Sequence, residues 1–239
     1  MLRQMNAFVA SQLALETSST ARILDVGCGY GATVAQLQRY FPKAIFTGVN
    51  NCAAQLEVAK HSCPTAAFRV ADFEAIPFEA NCFDAAYALE SACFAEGETK
   101  EKLLAEMAKV LRPGGRLVVV DGFRRQDGPL PKLVDWLYQK SCAAWGMPSL
   151  APVSGFEKAL QNHDFEEIII RDISWNVLPS LAHIPIAVLK LLATNHFKKD
   201  DGRLRYCRAL LLTLSLSPFK RHFGYFSVTC VKTAAESKN

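Results

Sequence analysis

Two hydrophobic periods alternate along the first half of the chain. An amphipathic helix is predicted at residues 3–16, and after it short β-rich runs alternate with segments whose apolar positions recur at helical spacing. The β-rich runs are residues 21–27, 44–50, 66–73, 83–91 and 115–123, and the helical segments are residues 32–41, 53–62 and 98–111. Strands that alternate with helices of about ten to fifteen residues predict a parallel sheet with right-handed crossovers.

The pattern changes after residue 124, where helices dominate. The later elements are predicted helices at 129–145 and 154–163, a strand at 165–174, a long apolar helical region from about 177 to 217 with a polar turn at 198–203, and a terminal strand at 223–232. We therefore expect one α/β domain over residues 1–239. Its seven-stranded, mostly parallel sheet has an antiparallel edge and helices on both faces. A helical cap, built from about 124–150 and 175–221, covers the carboxyl-terminal strand ends.

Composition narrows the class of protein. The net charge of +4 is mild and gives no support for a dedicated nucleic-acid binder, whose basic residues are usually denser and segregated on one face. Eight cysteines are scattered without a Cys-x-x-Cys pair, which predicts reduced thiols and no metal site. No run reaches the ~18 apolar residues of a membrane span. Without a signal-peptide pattern at the N-terminus, a cytoplasmic location is expected.

The strongest local signal is the stretch ILDVGCGYGATVAQL at residues 23–37, in which a strand enters a glycine-rich turn and a helix follows. Gly27, Gly29 and Ala32 satisfy a dinucleotide-binding fingerprint, which alone is a weak indication of a nicotinamide cofactor. Asp25 favours another cofactor. A carboxylate there would repel a pyrophosphate but could orient, through intervening polar groups, the cationic methionyl end of S-adenosylmethionine.

The chain resembles the class I S-adenosylmethionine-dependent methyltransferases at this point. The segments that carry the resemblance are DVGCGYG at 25–31, GVNN at 48–51, ADFEAIPF at 71–78 and LRPGGRLVVVD at 111–121. The resemblance covers residues 20–125 and implies a Rossmann-like fold that binds S-adenosylmethionine and releases S-adenosylhomocysteine.

The same resemblance implies roles for individual residues. The implied cofactor-binding residues are Asp25, Gly27, Gly29, Gly31, Asn50, Asn51, Gln55, Asp72, Phe73 and Leu89. Asp72 and Phe73 would meet the adenine. Asn50 stands where the family has an acid for the ribose hydroxyls, and its amide oxygen can still accept one such bond. The lack of an acid there also weakens the nicotinamide interpretation, and the pair Asn50-Asn51 with Gln55 resembles sterol C-methyltransferases.

Glu90 follows the apolar run of the fourth strand and is the leading catalytic candidate, together with Tyr30. Small-molecule members of the family often carry a His four residues after this Glu, where this chain has Phe94. A missing base matters less if the acceptor is an alkene, because C-methylation generates a carbocation that an anion and aromatic faces from Tyr30, Phe94 and Tyr87 would stabilise. Two alternatives stay open: Glu90 holds the cofactor's ammonium, or it ends a strand in water.

The apolar C-terminal third predicts a pocket for a small isoprenoid or sterol-like substrate, methylated at carbon. The alternatives are an O- or N-methyltransferase of a polar natural product and a non-catalytic S-adenosylmethionine-binding protein. The cap helices could instead be ordinary core helices. Basic residues in the cap could contact a phosphate or an anionic membrane, or form a solvated helix face; they are Arg203, Arg205, Arg208, Lys220 and Arg221. Because few residues precede Asp25, a homo-oligomer that completes the pocket also stays open.

Overall fold

The structure is a computed structural model that describes residues 2–181, 183–193 and 202–234. Residues 198–201 of the predicted polar turn at 198–203 lie outside these ranges. The strands are β1 (Arg22–Val26), β2 (Ile45–Asn50), β3 (Ala67–Val70), β4 (Phe83–Leu89), β5 (Leu111–Arg124), β6 (Phe165–Asp172) and β7 (Phe223–Lys232). The helices are α1 (Leu2–Leu13), α2 (Ala32–Tyr40), α3 (Ala53–Ser62), α4 (Glu101–Val110), α5 (Lys132–Trp145), α6 (Val153–Asn162), α7 (Ser174–Leu181), α8 (Ile184–Ala193) and α9 (Arg203–Leu216).

The seven strands form one sheet in the order β3-β2-β1-β4-β5-β7-β6. The pairs among β1 to β5 are parallel, and β7 runs antiparallel to both of its neighbours. The predicted Rossmann-like, mostly parallel architecture is therefore confirmed. The antiparallel edge differs from a simple hairpin, because α7, α8 and α9 lie in the connection between β6 and β7.

Two apolar clusters sandwich the sheet, because successive strand side chains point to opposite faces. Along β5, Leu117 and Val119 join the cluster that α4 and α6 complete, whereas Val118 and Val120 join the cluster that α1 and α2 complete. The predicted helices on both faces are thus present. The carboxyl ends of the parallel strands meet at one edge, where open α/β sheets place their ligands.

Two boundaries differ from the sequence prediction near β5. The strand begins at Leu111, and its pairing with β4 jumps from Phe83–Leu111 to Ala85–Arg116, so the predicted Pro-Gly-Gly turn is a bulge in the strand. Helix α4 begins at Glu101 because Lys100 adopts a left-handed conformation with φ of 64°. The Lys100 ammonium is buried and donates to the carbonyls of Ala95 (2.7 Å) and Ser149 (2.8 Å).

A buried polar pair lies inside the second cluster. Asp25 and Tyr87 are partners in the β1–β4 register, and the Tyr87 hydroxyl donates to Asp25 Oδ2 at 2.8 Å. Burial raises the pKa of Asp25 to about 7, while this hydrogen bond lowers it in part. The structure corrects the placement of Tyr87 beside a reacting centre, because its side chain is wholly buried. Because Asp25 is also buried, it can orient a cofactor only through intervening polar groups, as the sequence suggested.

No helix in the described part of the chain has the length and apolar character that crossing a bilayer requires.

The Asp25 carboxyl predicts a pH dependence of stability. Because its folded pKa lies above its ordinary value, its contribution is fully present below about pH 4 and is lost as the pH rises through about 7. The Asp25→Asn substitution keeps an acceptor for Tyr87. It should reduce the decrease in unfolding free energy between pH 4 and 8 by about 4 kcal/mol. Denaturant titrations across this range measure the slope. The control Asp135→Asn, at an exposed carboxylate, should retain it, and a retained slope in Asp25→Asn would contradict this account.

Candidate functional site

The glycine-rich turn is folded over the end of β2. The amides of Gly27 and Cys28 both donate to the carbonyl of Val49, at 2.9 and 3.0 Å. This pair of bonds brings the turn beside Asn50, the last residue of β2, before α2 begins at Ala32. A turn that leads straight into a helix leaves backbone N–H groups available to a ligand.

Two glycines in this turn have different structural reasons. A Cβ at Gly27 would lie 2.5 Å from Ser91 Cβ, and Gly27 has a φ of 82°. The Ser91 hydroxyl in turn donates to the carbonyl of Val26, so the end of β4 is held against the end of β1. Gly29 has a φ of 50°, and a Cβ there would meet nothing within 4 Å. The turn therefore packs tightly on β4 at Gly27 and borders open space at Gly29, whereas Gly31 packs against α3.

Asn50 is buried and oriented by a neighbour in α3. Its Nδ2 donates to Gln55 Oε1 at 2.7 Å, which leaves Asn50 Oδ1 without a donor among the described residues. An acceptor at this position suits a ribose hydroxyl. Asn51 is exposed at the start of the next turn. The structure thus brings Asn50 and Gln55 together and places Asn51 beside them on the surface.

The segment after β3 forms an exposed polar turn. Asp72 is exposed, and its Oδ1 accepts the amide of Glu74 at 2.9 Å. Phe73 is half-buried and packs against the first apolar cluster. One carboxylate oxygen of Asp72 thus holds the turn, and the other accepts no hydrogen bond from the residues that the structure describes. The adenine contact implied for Asp72 and Phe73 stays a prediction.

Glu90 lies just beyond β4 in a left-handed conformation with φ of 54°, which is uncommon for a residue with a side chain. Its amide donates to the carbonyl of Val120 at 2.9 Å, and its Oε1 accepts the hydroxyl of Tyr225 at 2.7 Å. Glu90 is therefore exposed but held in place, which disfavours the interpretation that it merely ends a strand in water. Burial and the Glu90 charge raise the pKa of the Tyr225 hydroxyl, so it remains a donor.

Asp121, at the end of β5, is a second carboxyl that the sequence interpretation missed. Its Oδ2 accepts the amide of Cys93 at 3.0 Å, and its Oδ1 accepts the amide of Gly122 at 2.7 Å. Burial raises the pKa of Asp121 to about 6; the two amides lower it, and the Glu90 charge raises it. The signal was available, because Asp121 follows the apolar run VVV as Glu90 follows its own. No comparable local signal marks Tyr225.

The remaining candidates are aromatic or apolar. Tyr30 and Phe94 are exposed, on the glycine turn and on the short turn after Glu90 respectively. Leu89 is half-buried and packs against the second cluster. No group of three or more His, Cys, Asp or Glu residues in the described part of the chain could hold a metal ion. The edge thus combines a glycine turn, an oriented amide and two carboxyls.

This fold and site define a class of protein. The carboxyl ends of β1, β2 and β4 present the turn, the amide and the acid in the arrangement of a Rossmann-like methyltransferase, and the family described as methyltransferase domain matches residues 24–119. The chain resembles the class I S-adenosylmethionine-dependent methyltransferases, and among them the sterol- and terpenoid-methylating group.

Individual relatives differ in the chemistry that their names state. The chain is 34% identical over 172 residues to the O-methyltransferase cnsE of Penicillium expansum, which covers 70% of this chain and 59% of that protein. It is 32% identical over 162 residues to a sterol 24-C-methyltransferase of Saccharomyces cerevisiae, covering 64% of this chain and 41% of that protein. The chain therefore spans less than two thirds of the length of these relatives.

Among solved structures, the [4+2]-cyclase SpnF superposes with a TM-score of 0.77 at 22% identity, covering 98% of this chain and 82% of that chain. At this identity the likeness concerns the fold. A protein named as a cyclase thus shares this architecture, so the fold alone does not fix the reaction.

The geometry at Asn50 generates a prediction for cofactor binding. In Asn50→Asp, the Gln55 amide can turn to donate its Nε2, and the new carboxylate can accept both ribose hydroxyls, each bond contributing ~1–2 kcal/mol. Calorimetry with S-adenosylmethionine should show equal or tighter binding, by up to about tenfold. The matched control Asn162→Asp adds the same charge at an exposed position at the end of α6 and should bind as the unmodified protein does. A loss of affinity larger than tenfold in Asn50→Asp would assign Asn50 another partner.

Proposed function

We propose that this chain binds S-adenosylmethionine at the carboxyl edge of β1, β2 and β4 and transfers its methyl group to a small molecule, releasing S-adenosylhomocysteine. The observation that carries this proposal is the position of Glu90, which the Tyr225 hydroxyl fixes next to Ser91 and hence next to the glycine turn. The match of residues 24–119 to a methyltransferase domain, the open space at Gly29 and the available acceptor on Asn50 support it.

The protein's part in such a reaction is binding and alignment. When bound, S-adenosylmethionine supplies a methyl carbon already activated by its sulfonium, so the acceptor's electron pair forms the new bond as sulfur takes up the electrons of the breaking S–C bond. The glycine turn gives the ligand close access to backbone amides, and Asn50 Oδ1 offers the ribose an acceptor. Proximity and orientation then account for most of the acceleration.

Glu90 and Asp121 make this edge suitable for developing positive charge. Tyr225 occupies one oxygen of Glu90, and the other accepts no hydrogen bond within the described residues. The amides of Cys93 and Gly122 favour the ionised form of Asp121, which would add a second negative charge. Preorganised anions stabilise a cationic transition state and need no reorganisation as the reaction proceeds.

For the acceptor, we propose a small apolar molecule of isoprenoid or sterol-like character that is methylated at carbon. Attack by an alkene leaves a carbocation, which the two carboxyls would stabilise. Phe94 stands where a general base would serve oxygen or nitrogen chemistry, and the similarity to a sterol 24-C-methyltransferase supports carbon as the acceptor. A cytoplasmic location stays a prediction.

Transfer to oxygen is the second candidate, which the 34% identity to an O-methyltransferase favours. The third candidate is a protein that binds S-adenosylmethionine without transferring its methyl group, and the shared fold of a cyclase keeps this candidate relevant. The three differ in their products.

The discriminating experiment uses S-adenosylmethionine with a deuterated methyl group. The protein is incubated with separate panels of isoprenoid alkenes, phenols and amines, and products are analysed by mass spectrometry. Label on carbon of an alkene supports the proposal, and label only on oxygen or nitrogen supports the second candidate. Tight calorimetric binding without labelled product from any panel would favour the third candidate, and an absence of binding would overturn the cofactor assignment.

The carboxylate of Glu90 generates a kinetic prediction. Glu90→Gln keeps the shape and one acceptor but removes the anion, and it should lower single-turnover rates by on the order of 10²–10³ at saturating cofactor. Cofactor affinity should change far less. If Glu90 instead holds the cofactor's ammonium, affinity and rate will fall together.

Two further variants sharpen this test. Tyr225→Phe removes the donor to Glu90 and should lower the rate by roughly ten- to a hundredfold, because a hydrogen bond to a charged group is typically worth about 1.5–3 kcal/mol. The control Glu79→Gln, at an exposed carboxylate, should leave the rate as it is. Unchanged kinetics in Glu90→Gln would refute the placement of Glu90 in the site.

A further inference from the structure

Charge is strongly segregated between the helical cap and the rest of the chain. The cap segments 124–150 and 175–221 contain twelve Lys and Arg residues and four acidic residues. Since the whole chain has 27 basic and 23 acidic residues, fifteen basic and nineteen acidic residues remain elsewhere. The cap is therefore cationic, and the remainder of the chain is slightly anionic.

Helix α5 combines this charge with exposed apolar side chains. Leu133, Trp136 and Lys140 are exposed and follow one another at helical spacing, so they share a face. The opposite face is buried and contains Tyr138 and Cys142. Helix α5 thus has one face packed on the protein and one outward face that is both apolar and basic.

Helices α9 and α8 repeat the pattern. In α9, Leu204, Arg208 and Leu211 are exposed at spacings of four and three residues, whereas Cys207 is buried. In α8, the exposed side chains among those that the structure describes are Pro185, Ile186, Leu189 and Lys190. Helix α9 packs against both α5 and α8, so the three helices belong to one layer.

Helix α7 contributes an aromatic residue at the margin of this layer. Trp175 is 71% exposed, and the ammonium of Lys220 lies 4.7 Å from the centre of its ring. Leu178, three residues further along α7, is also exposed. Trp, Leu and Ile side chains interspersed with Lys and Arg are typical of helices that lie in a membrane interface.

The charge of the cap favours an anionic lipid surface over a second copy of the chain. Two cationic caps brought face to face would repel one another, whereas an anionic leaflet attracts juxtaposed Lys and Arg residues by about 1 kcal/mol each. A bilayer also accepts separate apolar side chains from several helices without a complementary shape. Soluble monomers rarely expose large apolar patches that lack a binding role.

We propose that α5, α7, α8 and α9 dock peripherally on the surface of an anionic lipid bilayer. The exposed leucines, isoleucine and tryptophans enter the boundary between headgroups and acyl chains, and the lysines and arginines contact lipid phosphates. The proposed docking does not depend on methyl transfer.

The docking face adjoins the candidate site. The Ser174 hydroxyl, at the first residue of α7, accepts the backbone amide of Tyr225 at 2.9 Å and the guanidinium of Arg125 at 3.0 Å. Trp175 therefore lies one residue from the group that supports the partner of Glu90. If the proposed function is correct, an apolar acceptor could pass from the bilayer to the site without crossing water.

The tryptophans give a direct test, because all three of them, Trp136, Trp145 and Trp175, lie in the cap. Vesicles of phosphatidylcholine with about 30 mol% phosphatidylglycerol should shift the fluorescence of the full chain to shorter wavelength and sediment with it. Vesicles of phosphatidylcholine alone should bind at least tenfold more weakly. About 0.5 M NaCl should reduce the anionic binding, since it shortens the range of the electrostatic attraction. Equal binding to both vesicles, or binding to neither, would overturn the proposal.

Matched variants locate the docking surface. Arg208→Glu should weaken binding to anionic vesicles by about tenfold, whereas Arg39→Glu, which makes the same charge change in α2, should stay within about twofold. Leu133→Ser together with Leu211→Ser should abolish the fluorescence shift, whereas Ile45→Ser together with Val58→Ser, at exposed positions outside the cap, should retain it. Loss of binding in the control variants to the same extent would overturn the assignment to the cap. Sedimentation that shows a dimer buried through this face, with no vesicle binding, would assign the surface to a second copy instead.

Discussion

The close approach of β4 to the glycine turn determines the geometry of the whole carboxyl edge. Gly27 lies against Ser91 at a distance that leaves no room for a Cβ, and the Ser91 hydroxyl ties the end of β4 to the Val26 carbonyl. Two consequences follow from this single contact. The turn lies beside Asn50. Glu90, which directly precedes Ser91, lies at the rim of the same site. The cofactor edge and the acceptor edge are therefore parts of one packed unit.

Two carboxyl groups and one ammonium are buried beneath this edge, and each makes a different kind of hydrogen bond. Asp25 accepts the hydroxyl of Tyr87 from the neighbouring strand, Asp121 accepts backbone amides, and the Lys100 ammonium donates to backbone carbonyls. Each group thus has hydrogen-bond partners within the protein, which limits the cost of removing it from water. The bonds to Cys93, Ala95 and Ser149 fix the turn that follows Glu90 and the loop that precedes α6. Rigidity of this kind keeps charges in position for a reaction.

Local patterns predicted most of the sheet, because strand and helix periods depend on neighbouring residues. The glycine turn was found from its own motif, Asn50 was assigned from the resemblance to the methyltransferases, and Glu90 was conspicuous as an acid after an apolar run. Tyr225 could not be found, since it lies 135 positions from Glu90 and sits in an ordinary alternating strand. Lys100 was predicted to lie in a helix, because no neighbouring residue indicates that its backbone is left-handed or that its ammonium is buried. Tyr87 misled the sequence interpretation, since an aromatic residue near a site can face either side of the sheet.

The position of β7 constrains the order in which the protein can mature. It is the last strand of the described chain, yet it lies inside the sheet, between β5 and β6. A chain that stops before Phe223 would leave both of these strands with unpaired edges, which favour association with other chains. Such a chain would also lack the donor to Glu90. During synthesis, the sheet can close only after nearly all of the residues that precede β7 have left the ribosome. The pairing of β7 therefore completes the site and removes the aggregation-prone edges in the same step.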